Sequence, residues 1–256
     1  MAIKQSWAGK RVWIVGASSG IGAALARELA GRGARLAVSA RNADALRTLC
    51  AQLLGDGHRA LPLDITDEAA SRAAVETLET DWGGIDAVVL GAAAYEPMRA
   101  FAIDAESGRR SLRVNVEGTF NCIAAIVPAL LRAGRGQIAV VASVAGYRGL
   151  PQALVYGATK AALINMTETL RLDLADRGIK VQLVNPGFVR TPLTAKNEFP
   201  MPAIVEPEQA ARCIADGMES ERFEIHFPMR FTLVLKALRL LPYRLYFPLI
   251  RRVTGL

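Results

Sequence analysis

Short apolar runs alternate with helical patterns along almost the whole chain, and this alternation constrains the fold more than any other feature. Runs such as 11–16, 35–40 and 85–90 are mainly apolar, and each precedes a longer stretch that contains helical spacing. Strands that are apolar on both sides indicate a sheet covered on both faces. Alternating strands and helices predict parallel strands joined by right-handed crossovers. The sequence therefore predicts an α/β fold with a doubly wound sheet in three αβα layers.

The order of these segments predicts a Rossmann-type parallel sheet of about seven strands in a single domain. The predicted strands are 11–16, 35–40, 59–63, 85–90, 137–142, 180–184 and 223–227. The predicted helices are 21–33, 43–54, 68–82, 106–132, 155–177 and 207–218. No linker or repeat divides residues 1–228, which form the predicted Rossmann-type domain. Residues 229–256 form a predicted helical extension that Pro242 interrupts.

Cysteine and histidine are too few and too scattered to indicate a metal site or a disulfide framework. Cys50, Cys122 and Cys213 match no metal-ligand spacing, and His58 and His226 are the only histidines. We therefore expect no bound metal and a reducing compartment, the cytoplasm. No run of eighteen uncharged apolar residues is present, so no transmembrane helix is predicted.

Positive charge is concentrated near the end of the chain. Residues 222–256 contain seven basic residues and one acidic residue, whereas the preceding part contains 24 basic and 23 acidic residues. The nearly neutral main body argues against a nucleic-acid partner. Helical spacing in the extension places five apolar residues on one face, with Lys236 and Arg239 away from it: Phe231, Val234, Leu235, Leu238 and Leu241. Three contacts remain open for this extension: its own domain, a partner subunit, or a peripheral contact with an anionic membrane.

A glycine-rich turn follows the first predicted strand and opens the first predicted helix. Glycine permits backbone angles closed to other residues and a close approach of a pyrophosphate, which the N–H groups of the helix N-terminus then bind. The strand–turn–helix context predicts a dinucleotide site. Its predicted residues are Gly16, Ser18, Ser19, Gly20, Ile21 and Gly22.

The end of the second predicted strand indicates which dinucleotide binds. An acidic residue there would hold both ribose hydroxyls of NAD and repel a 2′-phosphate. This chain has Ala40 followed by Arg41, and a guanidinium pairs with a phosphate through parallel hydrogen bonds. The sequence therefore predicts NADP(H) as the cofactor.

Three residues form a candidate catalytic set. Ser143 follows the fifth predicted strand, and Tyr156 and Lys160 share one face of the next helix through their i, i+4 spacing. A nearby ammonium is expected to lower the pKa of the phenol from its ordinary value of about 10. The tyrosine could then exchange a proton with a carbonyl or an alcohol, while the serine holds the substrate oxygen.

Taken in order, these motifs resemble the short-chain dehydrogenase/reductase family, in its single-domain subfamily, over residues 9–217. The resemblance implies an NADP-dependent enzyme that acts on CH–OH groups and interconverts a carbonyl and an alcohol by hydride transfer. The partner would be a small-molecule substrate, and the basic apolar extension suits a hydrophobic or lipid-like one. The resemblance also implies a homo-oligomer, a dimer or tetramer, formed through helices 106–132 and 155–177.

The resemblance gives roles to further residues. Asn115 would be a fourth catalytic residue that holds a water linked to Lys160. Asp64 and Ile65 would contact the adenine, and residues 188–202 would form a mobile lid over the substrate. The remaining cofactor-binding positions are Gly91 and Ala92 after the fourth strand, and Pro186, Gly187, Val189 and Thr191 after the sixth. Tyr156 and Lys160 would also contact the cofactor.

Two regions depart from the family pattern. Val15 replaces a threonine, and Leu90-Gly91-Ala92-Ala93 replaces Asn-Asn-Ala-Gly. Strands one and four are neighbours in such a sheet, so we interpret both changes as one apolar repacking. This departure leaves open an alternative function, a catalytically idle NADP(H)-binding sensor or scaffold.

Overall fold

The computed structural model describes residues 7–255 and contains a seven-stranded, fully parallel sheet in the order β3-β2-β1-β4-β5-β6-β7. This sheet confirms the predicted doubly wound α/β fold. The order reverses between β1 and β4, which opens a crevice at the carboxyl ends of the central strands. The strands are β1 Arg11–Val15, β2 Arg35–Ala40, β3 Arg59–Pro62, β4 Ala87–Leu90, β5 Gly136–Val141, β6 Ile179–Pro186 and β7 Glu224–Phe227.

The helices follow the predicted pattern, with one exception in the middle of the chain. The predicted helix 106–132 is divided by one π-helical turn, Arg113–Glu117, because Asn115 there bonds to a neighbouring loop. The described helices are α1 Gly20–Gly31, α2 Ala43–Gln52, α3 Glu68–Trp82, α4 Ala105–Leu112, α5 Gly118–Ala133, α6 Leu154–Leu174, α7 Pro207–Met218, α8 Met229–Arg239 and α9 Tyr243–Thr254.

Two apolar cores lie on opposite faces of the sheet. Successive side chains of β1 alternate between them, with Val12 and Ile14 in one core and Trp13 and Val15 in the other. Helices α1, α2 and α7 cover the first face, and α3, α5 and α6 cover the second. This alternation is the period-two pattern of a strand buried on both sides. The result is the predicted three-layer arrangement.

Helix α8 packs on the domain with a face slightly rotated from the predicted one. Phe231 and Leu235 pack against the core, as expected, but Val234 is 59% exposed. Lys236, expected to point away, forms an ion pair with Glu224 at 2.6 Å. The rotation is fixed by Thr232, which is fully buried and bonds to His226 Nδ1 at 2.6 Å.

Helix α9 is held on the domain by an arginine from the loop after β5. Arg148 Nη1 donates to the carbonyls of Leu238, Arg239 and Leu241 at 3.0, 3.1 and 2.6 Å. Its guanidinium lies 3.9 Å from the ring centroid of Tyr246, whose hydroxyl donates to a carbonyl of the same loop at 2.7 Å. These contacts cap the end of α8 and anchor the start of α9.

One helical run among residues 7–255, Ala105–Ala133, is long and apolar enough to cross a membrane by length and composition alone. A helix that packs in a protein core passes the same test. Cys122 and Ile126 on this run are fully buried in the core beside α3. Core packing therefore accounts for the buried apolar side chains of this run.

Candidate active site

A cleft of about 340 Å³ opens at the carboxyl ends of the central strands. Every residue predicted for the cofactor lines this cleft, together with Ser143, Tyr156 and Lys160. The cofactor set comprises Gly16, Ser18, Ser19, Gly20, Ile21, Gly22, Arg41, Asp64, Ile65, Gly91, Ala92, Pro186, Gly187, Val189 and Thr191. Segments far apart in the sequence therefore meet at one site.

The glycine-rich turn is packed so closely that no side chain fits at Gly16 or Gly22. Gly16 has φ +90°, and a Cβ built there would lie 2.5 Å from the backbone N of Ala92. A Cβ on Gly22 would lie 2.2 Å from the carbonyl oxygen of Gly16. The Ser19 side chain forms no capping hydrogen bond with α1. The N–H groups of the first turn of α1 thus face the cleft, where an anion would be stabilised.

Val15 and Leu90, which depart from the family pattern, are direct cross-strand partners. Both are buried in the same core, and Gly91 N donates to the Val15 carbonyl at 2.9 Å. The structure therefore agrees with the interpretation of a single apolar repacking. Their neighbour Ala92 packs against Gly16, so this repacking supports the position of the glycine-rich turn.

A cation and an anion lie near the end of β2. Arg41 is exposed at the cleft, and Asn42 beside it caps α2 by accepting from Ala45 N at 3.0 Å. Asp64 accepts from the backbone N and the hydroxyl of Thr66 at 3.0 and 2.8 Å. These hydrogen bonds, with a smaller effect of the Arg41 charge, hold the pKa of Asp64 below its ordinary value.

The pKa of Tyr156 differs from the expectation. Burial raises it above its ordinary value, although a hydrogen bond with Ser143 opposes the rise. Burial also lowers the pKa of Lys160 to about 7. Lys160 Nζ donates to the carbonyl of Val141 at 2.9 Å and lies 5.6 Å from the phenol ring centroid. The expected lowering of the phenol pKa by Lys160 is therefore wrong for this arrangement, because burial is the larger effect.

Asn115 is absent from the cleft lining, in contrast to the other three predicted catalytic residues. Its side chain is fully buried in the π-helical turn. Asn115 Oδ1 accepts from Ala94 N at 2.7 Å, and Nδ2 donates to the Ala94 carbonyl at 2.9 Å and to Thr159 Oγ1 at 3.0 Å. The side chain thus fixes the loop after β4 against α6. Its expected role toward a water stays a prediction.

The predicted lid segment, residues 188–202, contacts Tyr95, a residue that the sequence analysis missed. The ring centroid of Tyr95 lies 4.7 Å from that of Tyr156, edge to face. Tyr95 Oη donates to Asn197 Oδ1 at 2.5 Å, and Lys196 Nζ donates to the Tyr95 carbonyl at 3.1 Å. Tyr95 lies in a loop without periodicity, so no sequence signal marked it.

Thr194 is a second residue that the sequence analysis missed. It lines the cleft, and its hydroxyl donates to the Val189 carbonyl at 2.6 Å and accepts from Thr191 N at 3.0 Å. These bonds fold the start of the lid over the turn after β6. The closely spaced pair of threonines in 191–194 is the signal that could have suggested it.

A doubly wound sheet with a nucleotide-sized cleft and a serine, tyrosine and lysine at one end defines an oxidoreductase of the Rossmann type. The family pattern described as short chain dehydrogenase matches residues 10–200. The chain belongs to the short-chain dehydrogenase family, whose members bind a nicotinamide cofactor.

Similar proteins agree with this family. An uncharacterized oxidoreductase of Myxococcus xanthus is 34% identical over 242 residues, which cover 94% of this chain and 96% of that protein. A sorbitol dehydrogenase of Cereibacter sphaeroides is 38% identical over 71% of each chain. The crystal structure of a 3-ketoacyl-(acyl-carrier-protein) reductase from Brucella melitensis, complexed with NADH, has a TM-score of 0.80 at 27% identity. It covers 87% of this chain and 98% of that one.

Proposed function

We propose that this protein is an NADP(H)-dependent oxidoreductase that interconverts a carbonyl and an alcohol on a hydrophobic or lipid-like substrate. The observation that carries the cofactor preference is the end of β2, where Ala40 occupies the usual acidic position and Arg41 is exposed at the cleft. A 2′-phosphate would meet a guanidinium there, with no carboxylate at position 40 to repel it.

The residues of the cleft fit such a dinucleotide. The crowding at Gly16 and Gly22 excludes a side chain at both positions, so the backbone of the turn stays open to a pyrophosphate at the N-terminus of α1. Arg41 would hold the 2′-phosphate, and Asp64 with Ile65 would hold the adenine. Residues of the turn after β6, including Val189 and Thr191, would hold the nicotinamide. When bound, the cofactor would supply or accept the hydride.

The chain's own residues would handle the proton and the substrate oxygen. Because burial raises the pKa of Tyr156, its hydroxyl stays protonated near neutral pH and can donate to the oxygen of a carbonyl. The Ser143 hydroxyl, which lines the same cleft and accepts from Ala145 N at 3.1 Å, would donate to the same oxygen. Lys160 would hold a ribose hydroxyl of the cofactor.

The aromatic residues of the lid support a hydrophobic substrate. The ring centroid of Phe188 lies 5.9 Å from that of Phe199 and 5.7 Å from that of Phe231. Tyr95 adds an edge-to-face contact on Tyr156. The phenylalanine rings lie beside the turn after β6 and outside the cleft lining, and an apolar surface there would suit a hydrophobic substrate. The 3-ketoacyl reductase similar to this chain acts, by its name, on a ketone of an acyl chain, which agrees with this choice.

We also propose a cytoplasmic homo-oligomer. Phe120 on α5 is 56% exposed and Leu172 on α6 is 79% exposed, so these helices present apolar side chains that a second copy could cover. The free thiols of Cys50, Cys122 and Cys213 suit a reducing compartment.

Titration with NADPH and NADH, followed by ligand fluorescence, tests the proposed cofactor. Arg41→Asp should weaken NADPH binding by about 100-fold or more, because it replaces a charge-assisted pair with a repulsion. Arg47→Asp is the matched control, since Arg47 is exposed on α2 and lies outside the cleft lining. Equal affinity of the Arg41 variant for NADPH would overturn the cofactor assignment. If the parent protein bound neither nucleotide, both the enzyme and the NADP(H)-binding scaffold would be excluded. Tight NADPH binding without turnover in a screen of carbonyl substrates would favour the idle sensor or scaffold.

A further inference from the structure

We infer that the outer faces of α8 and α9 form a docking surface for an anionic lipid bilayer. The inner faces of both helices already pack on the domain, through Phe231 on α8 and through Tyr246 and Ile250 on α9. The outer faces remain exposed, and their composition differs from that of an ordinary solvent-facing helix. The inference does not depend on the chemistry proposed above.

Large apolar side chains recur on the exposed faces at helical spacing. Leu245, Leu249 and Val253 are separated by four residues each, so they form one stripe along α9. Leu245 is 59% exposed and Val253 is 73% exposed. On α8, Met229 and Leu233 form a second stripe, and each is about half exposed. A helix that met only water would place polar residues at these positions.

The positive charge of this surface favours an anionic partner. Residues 229–256 contain six basic residues and no acidic residue. Lys236 is bound to Glu224, whereas Arg230, Arg244 and Arg252 are exposed beside the apolar stripes. Apolar side chains between exposed arginines match the interface of an anionic bilayer, where acyl chains accept the former and phosphates accept the latter.

A second copy of the chain is a poorer occupant of this surface. A two-fold interface brings the same patch of both copies together, so arginines of one copy would face arginines of the other without any carboxylate from residues 229–256. Like charges in contact destabilise such an interface. The exposed side chains of α5 and α6 offer a copy a surface elsewhere.

Docking here would bring the lid close to the lipid. On the inner side of α8, Phe231 contacts Phe188 of the lid, and a Cβ built on Gly187 would lie 3.0 Å from the Phe231 ring. The outer face therefore lies one helix diameter, about 10 Å, from the lid. An apolar substrate dissolved in the bilayer would reach the cleft without crossing much water.

Vesicle flotation of the full chain tests the docking surface. One set of vesicles contains equal parts phosphatidylglycerol and phosphatidylcholine, and the other contains phosphatidylcholine alone. We expect binding to the anionic set only, with release at about 1 M salt, where the screening length falls to about 3 Å. Arg244→Glu with Arg252→Glu should weaken binding by about 30-fold or more. Leu245→Ser with Val253→Ser should weaken it by about tenfold.

Matched controls carry the same chemical changes elsewhere on the surface. Arg47→Glu with Arg72→Glu controls for net charge, and Leu54→Ser controls for loss of an exposed leucine. These variants should float like the parent protein. Equal flotation of either tail variant and the parent, or absence of flotation with anionic vesicles, would overturn the inference. A fall in oligomeric mass of the tail variants without lipid would also overturn it, in favour of a subunit interface. NADPH titration of each variant shows separately whether the cleft is intact.

Discussion

Replacing Gly22 by alanine tests whether the glycine-rich turn is shaped by steric exclusion. The new Cβ would lie 2.2 Å from the Gly16 carbonyl oxygen and 2.9 Å from its carbonyl carbon. These are backbone atoms, so no side-chain rotation can relieve the contact. The turn or the start of α1 must move by roughly 1 Å to restore van der Waals distances.

The close contact at Gly22 determines how much stability and nucleotide affinity the alanine variant should lose. Overpacking of this kind costs about 1–3 kcal/mol. For a chain of this length, 2 kcal/mol corresponds to a fall in Tm of about 4–8 °C. A shift of the turn would also misalign N–H groups of α1 from a bound phosphate. Loss of one charge-assisted hydrogen bond, about 1.5–3 kcal/mol, would raise the Kd for NADPH about 10- to 150-fold.

Gly31→Ala is the matched control, because it makes the same chemical change in the same helix. A Cβ on Gly31 would meet no atom within 4 Å. Alanine is the better helix former, so this variant should raise the free energy of unfolding by up to about 1 kcal/mol without changing nucleotide affinity. Thermal unfolding and NADPH titration of both variants provide the test. If Gly22→Ala matched the parent in both measurements, the steric argument would be refuted.

Three further predictions concern the proton donor, the buried lysine and the tail. Tyr156→Phe should lower kcat by about 10²- to 10⁴-fold, with a much smaller effect on NADPH affinity; retained turnover would exclude the phenol as the acid. Because burial lowers the pKa of Lys160 to about 7, the unfolded chain binds more protons above that pH. Stability should therefore rise with pH toward the ordinary lysine pKa, by up to about 1.4 kcal/mol per unit. The free energy of unfolding of Lys160→Met, measured with urea, should not rise with pH in this range. An identical rise in the variant and the parent would contradict the assignment to Lys160. Arg148→Lys should increase hydrogen exchange in α9, since an ammonium lacks the planar guanidinium that stacks on Tyr246 while it bonds to the carbonyls at the end of α8. Unchanged hydrogen exchange would show that the other contacts of α9 hold it on the domain without Arg148.

The fold could be predicted from the sequence because its signals are local and repeated. Each strand is a short apolar run, and the glycine-rich turn lies between one of them and a helix. Strand ends converge at one edge of a parallel sheet, so local motifs also located the cleft residues. This is why Arg41, Ser143 and Thr191, more than a hundred residues apart at the extremes, could be assigned to one site.

The remaining features depend on contacts between distant segments. Tyr95 belongs to an irregular loop and meets Tyr156 only in the folded chain. The pKa of Tyr156 follows the balance of burial and charge, which spacing along a helix does not give. Val234 was assigned to the wrong face because the phase of α8 is fixed by a buried threonine rather than by the average apolar pattern.

The π-helical turn Arg113–Glu117 has a consequence for length variation in this region. A π turn holds one residue more than a regular turn, so deletion of one residue could restore an unbroken α-helix. The deletion would leave α4 and α5 nearly in phase but would remove the widened turn that places the Asn115 side chain. Asn115 then could not bond to Ala94 and Thr159 at the same time. A chain with a regular helix here would lose the hydrogen bonds by which Asn115 joins the loop after β4 to α6. The number of residues in this helix therefore affects the position of that loop beside the cleft.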